Sequence, residues 1–171
     1  MIPLPTIPPE TLYASASVFV WLSVIQYARR WGYGLAFLSI AGTVIHELMH
    51  YISGFFLNAK PVSVSLWPKR RGNSWVLGSV GFTNLNIWNS AFVAFAPLAM
   101  FPLAWFLFQE WLLPAFRDAH YLTWGLSGYI VACCLFAGFP SSTDVKVGFL
   151  SATMYLSVGA GIIFGYPKIP F

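Results

Sequence analysis

The chain has 171 residues, of which 58% are hydrophobic, 19% aromatic and only 8% charged, and its mean hydropathy is +0.70. Soluble domains carry about 25% charged residues, so this chain lacks the charge to coat a globule in water, and lipid is the expected solvent for most of its surface. The net charge of +4 comes from basic residues scattered between apolar runs, which points to anionic headgroups rather than nucleic acid.

Met1–Glu10 is rich in proline and has no basic n-region, unlike a cleaved signal peptide. Thr11–Ala28 is uncharged and long enough to form a first span. Trp31–Leu57 follows as a second, interrupted only by His46, Glu47 and His50. Next, Val62–Trp67 alternates apolar and small polar residues, which is strand periodicity. Pro68–Ser74 carries turn chemistry with a basic tip, and Trp75–Phe82 leans to strand again, punctuated by Gly78 and Gly81. The expectation for residues 62–82 is a short β-hairpin at the membrane surface.

Ile87–Phe108 is the expected third span, kinked by Pro97 and Pro102. Tyr121–Phe139 is the fourth and Val147–Tyr166 the fifth. Each run is close to the ~20 residues that cross a bilayer core. No repeat or linker divides the chain, so the fold expected over 1–171 is one all-α integral membrane bundle of about five transmembrane helices with the β-hairpin between the second and third. Lysine and arginine divide almost evenly, five to four, between the two sides. The cluster near the hairpin favours that side as cytoplasmic.

The second span contains His46-Glu47-Leu48-Met49-His50. Histidines at i and i+4 share one helix face, so their imidazoles can converge on one ion. Glu47 can face the open coordination position, take the proton of a zinc-bound water as general base and return it as acid to the leaving amine. Random placement of three histidines and three glutamates yields this pattern about once in a thousand arrangements. Two histidines and a glutamate in mid-span are costly to bury without use, at about 2.5–3.5 kcal/mol for a charged side chain.

A peptidase zinc site takes three protein ligands. The extended metzincin pattern is excluded, because its glycine and third histidine fall on Ser53 and Phe56. Glu10, Glu110, Asp118, His120, Asp144, Cys133 and Cys134 remain as candidates. The cysteines are adjacent, form neither a disulfide framework nor a CxxC spacing, and read as lipid-facing or packing residues. Glu110, Asp118 and His120 fall at the opposite end of the bundle. Asp144 follows the fourth span at the end nearer the histidines, within Pro140-Ser141-Ser142-Thr143-Asp144. It is the expected third metal ligand, with a helix N-cap or an ion pair to Lys146 as its other uses.

HELMH, the hairpin and Pro140…Asp144, in that order, resemble the site-2 protease type of intramembrane zinc metallopeptidase, in its small bacterial form. The resemblance runs from the second span to Asp144, about two-thirds of the chain. It implies a multi-pass protein of the bacterial cytoplasmic (inner) membrane, with Zn2+ held by His46, His50 and Asp144, Glu47 as the catalytic residue, and a membrane protein or peptide as substrate. The family's aspartate is usually followed by glycine and preceded by asparagine and proline. Here Val145 follows, and no asparagine lies on that segment.

A substrate helix hides its carbonyls in its own hydrogen bonds and must unwind before hydrolysis. The hairpin offers a strand edge for the extended peptide. Gly78 and Gly81 permit close backbone approach there or relieve a turn. Asn84, Asn86 and Asn89 are candidates for substrate or oxyanion contact, or simply solvated. The other class of function is a non-proteolytic membrane metal-binding protein: a transporter, a sensor or a catalytically dead binding module. A transporter would show polar groups along several spans, and a dead copy has no use for Glu47.

Overall fold

The structure is a computed structural model that describes residues 8–71 and 74–165. The Pro-rich segment 1–7, Gly72 and Asn73 at the expected hairpin tip, and the final stretch with Tyr166 and Lys168 lie outside the described residues.

Helices dominate. The first expected span forms α1 (Pro9–Ala14) and α2 (Ala16–Ala28), joined through Ser15 in helical conformation. The second is divided at Ser39 into α3 (Gly32–Leu38) and α4 (Ile40–Phe56). At that break the Ser39 hydroxyl donates to Leu35 O at 2.7 Å, a local bond that competes with helical pairing.

Four short strands follow: β1 (Pro61–Ser65), β2 (Lys69–Arg71), β3 (Ser74–Val76) and β4 (Ser79–Phe82). β1 pairs antiparallel with β4, and β2 with β3. The strand-rich insert expected over 62–82 is therefore present as two nested antiparallel pairs.

The expected third span is displaced. Residues 90–94 form a separate short helix, α5 (Ser90–Ala94), followed by a 3-10 turn at Ala96–Ala99. α6 (Met100–Leu107), a π-helical turn at Phe108–Leu112 and α7 (Leu113–Arg117) complete a 22-residue apolar run, Ala96–Arg117. The reason is Pro97, which has no N–H to continue α5 but fits the start of the next helix. The π turn precedes Pro114, where the helical ladder again lacks a donor.

α8 (Tyr121–Ala137) matches the expected fourth span to within two residues. α9 (Ser142–Gly165) begins five residues before the expected fifth. Among the described residues, three helical runs are long and apolar enough to cross a membrane: Pro9–Ala28, Ala96–Arg117 and Ser142–Ile163. α4 and α8, at 17 residues each, are about 26 Å long.

α8 is the hub, packed against α2, α4 and α6. The core joins Ile25 of α2, Met100 and Ala104 of α6, and Val131, Ala132, Cys133 and Cys134 of α8. Polar tips inside this apolar packing find backbone acceptors: Trp21 Nε1 donates to Gly125 O at 2.9 Å, and Tyr129 OH to Leu38 O at 3.0 Å. α4 approaches α8 closely at Gly42, where a Cβ would sit 2.7 Å from Cys133 O. The outside is strongly apolar. Phe37, Phe56, Trp67 and Leu122 are each at least 77% exposed, a surface suited to lipid and not to water.

Candidate metal centre

The α4 helix turns His46 and His50 to one side, with their ring centroids 4.8 Å apart. Each ring is held by a backbone carbonyl from another helix. His46 Nδ1 lies 2.7 Å from Ala137 O at the end of α8, and His50 Nδ1 lies 2.8 Å from Val93 O in α5. A carbonyl can only accept, so each Nδ1 carries the hydrogen and each Nε2 presents a lone pair.

Those two Nε2 atoms are 3.1 Å apart. The Asp144 carboxylate faces both, with Oδ2 3.6 Å from His46 Nε2 and Oδ1 3.4 Å from His50 Nε2. Three acceptors thus converge without a donor among them. Tetrahedral zinc, with bonds of about 2.0–2.1 Å, places its ligand atoms about 3.3 Å from one another. The donor set fits such an ion in both spacing and chemistry. Among the described residues, this is the one group of three or more His, Cys, Asp or Glu side chains that could hold a metal ion.

Asp144 is placed by its helix start. Ser141 precedes α9, its N–H donates to Asp144 Oδ2 at 2.7 Å, and the Asp144 N–H donates to Ser141 Oγ at 3.2 Å. This reciprocal pair is a capping box formed by serine and an acid three residues on. Asp144 therefore both caps α9 and faces the histidines, and no ion pair joins it to Lys146 among the described residues. The Ser-x-x-Asp spacing is the signal in the sequence that would have located the cap.

Glu47 is 6% exposed. With His46, His50 and Asp144 it lines a cavity of about 610 Å³, whose other walls include Phe82, Phe136, Phe139 and the 75–80 stretch of the strand insert. Gly78 lies directly over the glutamate: a Cβ there would meet Glu47 Oε1 at 2.6 Å and Cγ at 2.7 Å. Its bareness serves the approach of the strand insert to Glu47, a contact no local sequence signal marks. Gly81 instead faces the cross-strand Ser63 hydroxyl, 2.5 Å from where a Cβ would stand.

The remaining candidates are elsewhere. Glu10 is half-buried and paired with Arg117. Glu110, Asp118 and His120 are exposed at the other end of α8. Cys133 and Cys134 are buried in the core, with Cys133 Sγ 3.7 Å from Leu38 O.

The three asparagines are engaged by the chain itself. Asn84 Nδ2 donates to Asn58 O at 2.7 Å, and Asn86 Oδ1 accepts from Trp88 N–H at 2.9 Å. Asn89 Nδ2 donates to Asn84 O at 2.9 Å, and its Oδ1 accepts from Asn86 N–H at 2.8 Å. They fold the connection between β4 and α5, and none of the three lines the cavity beside His46, His50 and Asp144.

No family model, curated protein or solved structure matches this chain.

Proposed function

We propose that the protein is a zinc-dependent intramembrane or membrane-associated endopeptidase of the site-2 protease type, cutting peptide bonds of a membrane protein substrate. The observation that carries this reading is the convergence of His46 Nε2, His50 Nε2 and an Asp144 oxygen, all acceptors, beside the buried Glu47. An added proton would sit on a single nitrogen, whereas a divalent cation satisfies all three groups at once.

In this reading α4 and α8 cross the membrane with the three longer runs, giving five spans. His46, His50 and Asp144 hold Zn2+, which when bound acidifies the attacking water and polarises the scissile carbonyl. Glu47 takes the proton of the attacking water and hands it to the leaving amine. The aromatic walls of the cavity keep bulk water from the reacting peptide. The substrate enters unwound, since a helical peptide has its carbonyls occupied. β4 is paired on one side by β1, and its residues Ser79, Val80 and Phe82 line the cavity, so an extended substrate can align there by strand addition.

The test is metal analysis and cleavage of a model transmembrane substrate by protein purified in detergent. One zinc per chain is expected, with cleavage that stops on treatment with 1,10-phenanthroline and returns on adding zinc. Zinc bound without cleavage of any substrate would favour a transporter, sensor or binding module instead. A chain that binds no metal would remove the basis of the reading.

Gly78→Ala tests the cover over Glu47. Overpacking of this kind costs about 1–3 kcal/mol, so the added methyl displaces either the carboxylate or the strand insert. The expected result is unchanged zinc content with cleavage reduced about 10-fold or more. Unchanged cleavage would show that the contact has no part in positioning Glu47.

A further inference from the structure

We infer that Pro97 and Pro140 are positioning residues for the two histidines, each acting by withholding a backbone N–H that would otherwise compete for the carbonyl orienting an imidazole. The inference rests on the metal-site reading above for its purpose, though not for its geometry.

In a continuous α-helix the Val93 carbonyl would accept from the N–H of residue 97. That residue is proline, fully buried and without a donor. Two neighbouring donors are committed elsewhere: Phe95 N–H to Ala91 O at 2.9 Å, and Leu98 N–H to Phe95 O at 3.0 Å. A backbone N–H of the α5 cap closes on one lone pair of Val93 O, and the other, open to the N–H that residue 97 lacks, takes the His50 Nδ1 hydrogen.

The same solution recurs at the end of α8. A further helical turn would bring the N–H of Ser141 to Ala137 O, but that N–H is held by Asp144 Oδ2. A tighter 3-10 closure would use residue 140, which is proline. Ala137 O therefore takes the His46 Nδ1 hydrogen. Two unrelated helices thus end on a carbonyl denied one backbone donor by a proline three or four residues on, and each carbonyl meets one of the two imidazoles. The bond fixes the tautomer and points the Nε2 lone pair into the cluster before any ion arrives. A proline that merely bends or ends a helix would not need its vacated carbonyl to face a ring nitrogen.

The test is the histidine tautomer in metal-free protein, read by two-bond 1H–15N correlation on the full chain in detergent, with His120 assigned by His120→Gln. In the wild type both His46 and His50 are expected as the Nδ1–H form. An Nε2–H form at either would overturn the inference without recourse to any variant. Pro97→Ala should then mix the tautomers of His50, and Pro140→Ala those of His46. Each should weaken Co2+ binding about 10–100-fold, the usual cost of losing an outer partner, and shift the cobalt absorption bands. If both variants keep the wild-type tautomers and Co2+ affinity, the prolines only end their helices and the inference fails. A wild type with the expected tautomers but no metal affinity would instead defeat the metal-site reading alone.

Discussion

Glu47→Gln is expected to keep one zinc per chain and to lower cleavage of a membrane substrate by about 10²–10⁴-fold, the range for removing a general acid–base group. The change is nearly isosteric, so the buried packing under Gly78 is retained. The amide cannot accept a proton from water, and it has none to lend to the leaving amine. Because Glu47 is not among the three converging ligand groups, metal content should not follow activity. The measurement is zinc content beside single-turnover cleavage, with folding checked by thermal melting. Loss of zinc in this variant would mean that Glu47 is itself a ligand. Full cleavage would remove it from the chemistry.

Asp144→Asn is expected to weaken zinc binding by more than the roughly 10–100-fold that outer-sphere changes cost, and to abolish cleavage at low zinc. This substitution separates the two duties of the residue. An asparagine oxygen can still accept from the Ser141 N–H, so the start of α9 remains capped. What disappears is the negative charge facing the two Nε2 atoms at 3.4 and 3.6 Å. Asp144→Ala removes both duties, and loss of an N-terminal cap typically costs about 1 kcal/mol. The contrast is read by competition with a chromophoric chelator for affinity and by melting for stability. If Asn and Ala variants bind zinc as the wild type does, Asp144 is a helix cap and no ligand.

Much of this site was legible because its parts are local. An i, i+4 pair needs only a helix to bring its side chains together, and the apolar run around HELMH supplies one. The alternation in Val62–Trp67 likewise marked a strand, and the paired strands lie where the pattern placed them. The breaks were harder to read. A hydrophobic run looks the same whether one helix or two pass through it, so Ser39 was not visible as an interruption in Trp31–Leu57. In the sequence Pro97 reads as a kink inside a span, yet the membrane-length helix starts at that point. Composition could not distinguish these cases, because a proline is compatible with both a kink and a helix start.

The asparagines show the converse case. Polar side chains near an apolar segment attract a functional reading, but Asn84, Asn86 and Asn89 are occupied by backbone groups of their own connection. Such pairings depend on how the loop closes, which no periodicity encodes.

By itself the sequence determined a composition too poor in charge to coat a globule in water and one face of the candidate site, two histidines and a glutamate on a single helix. Tertiary structure decided the rest. Asp144 lies 94 residues after His50 and meets it because α4 can approach α8 at Gly42 and because Ser141 anchors the carboxylate at the start of α9. The carbonyls of Val93 and Ala137 that orient the rings, and the bare Gly78 over Glu47, likewise come from separate elements. A helix fixes its own side-chain spacing through short-range hydrogen bonds, whereas contacts between helices depend on where each one ends and how closely two backbones can pack.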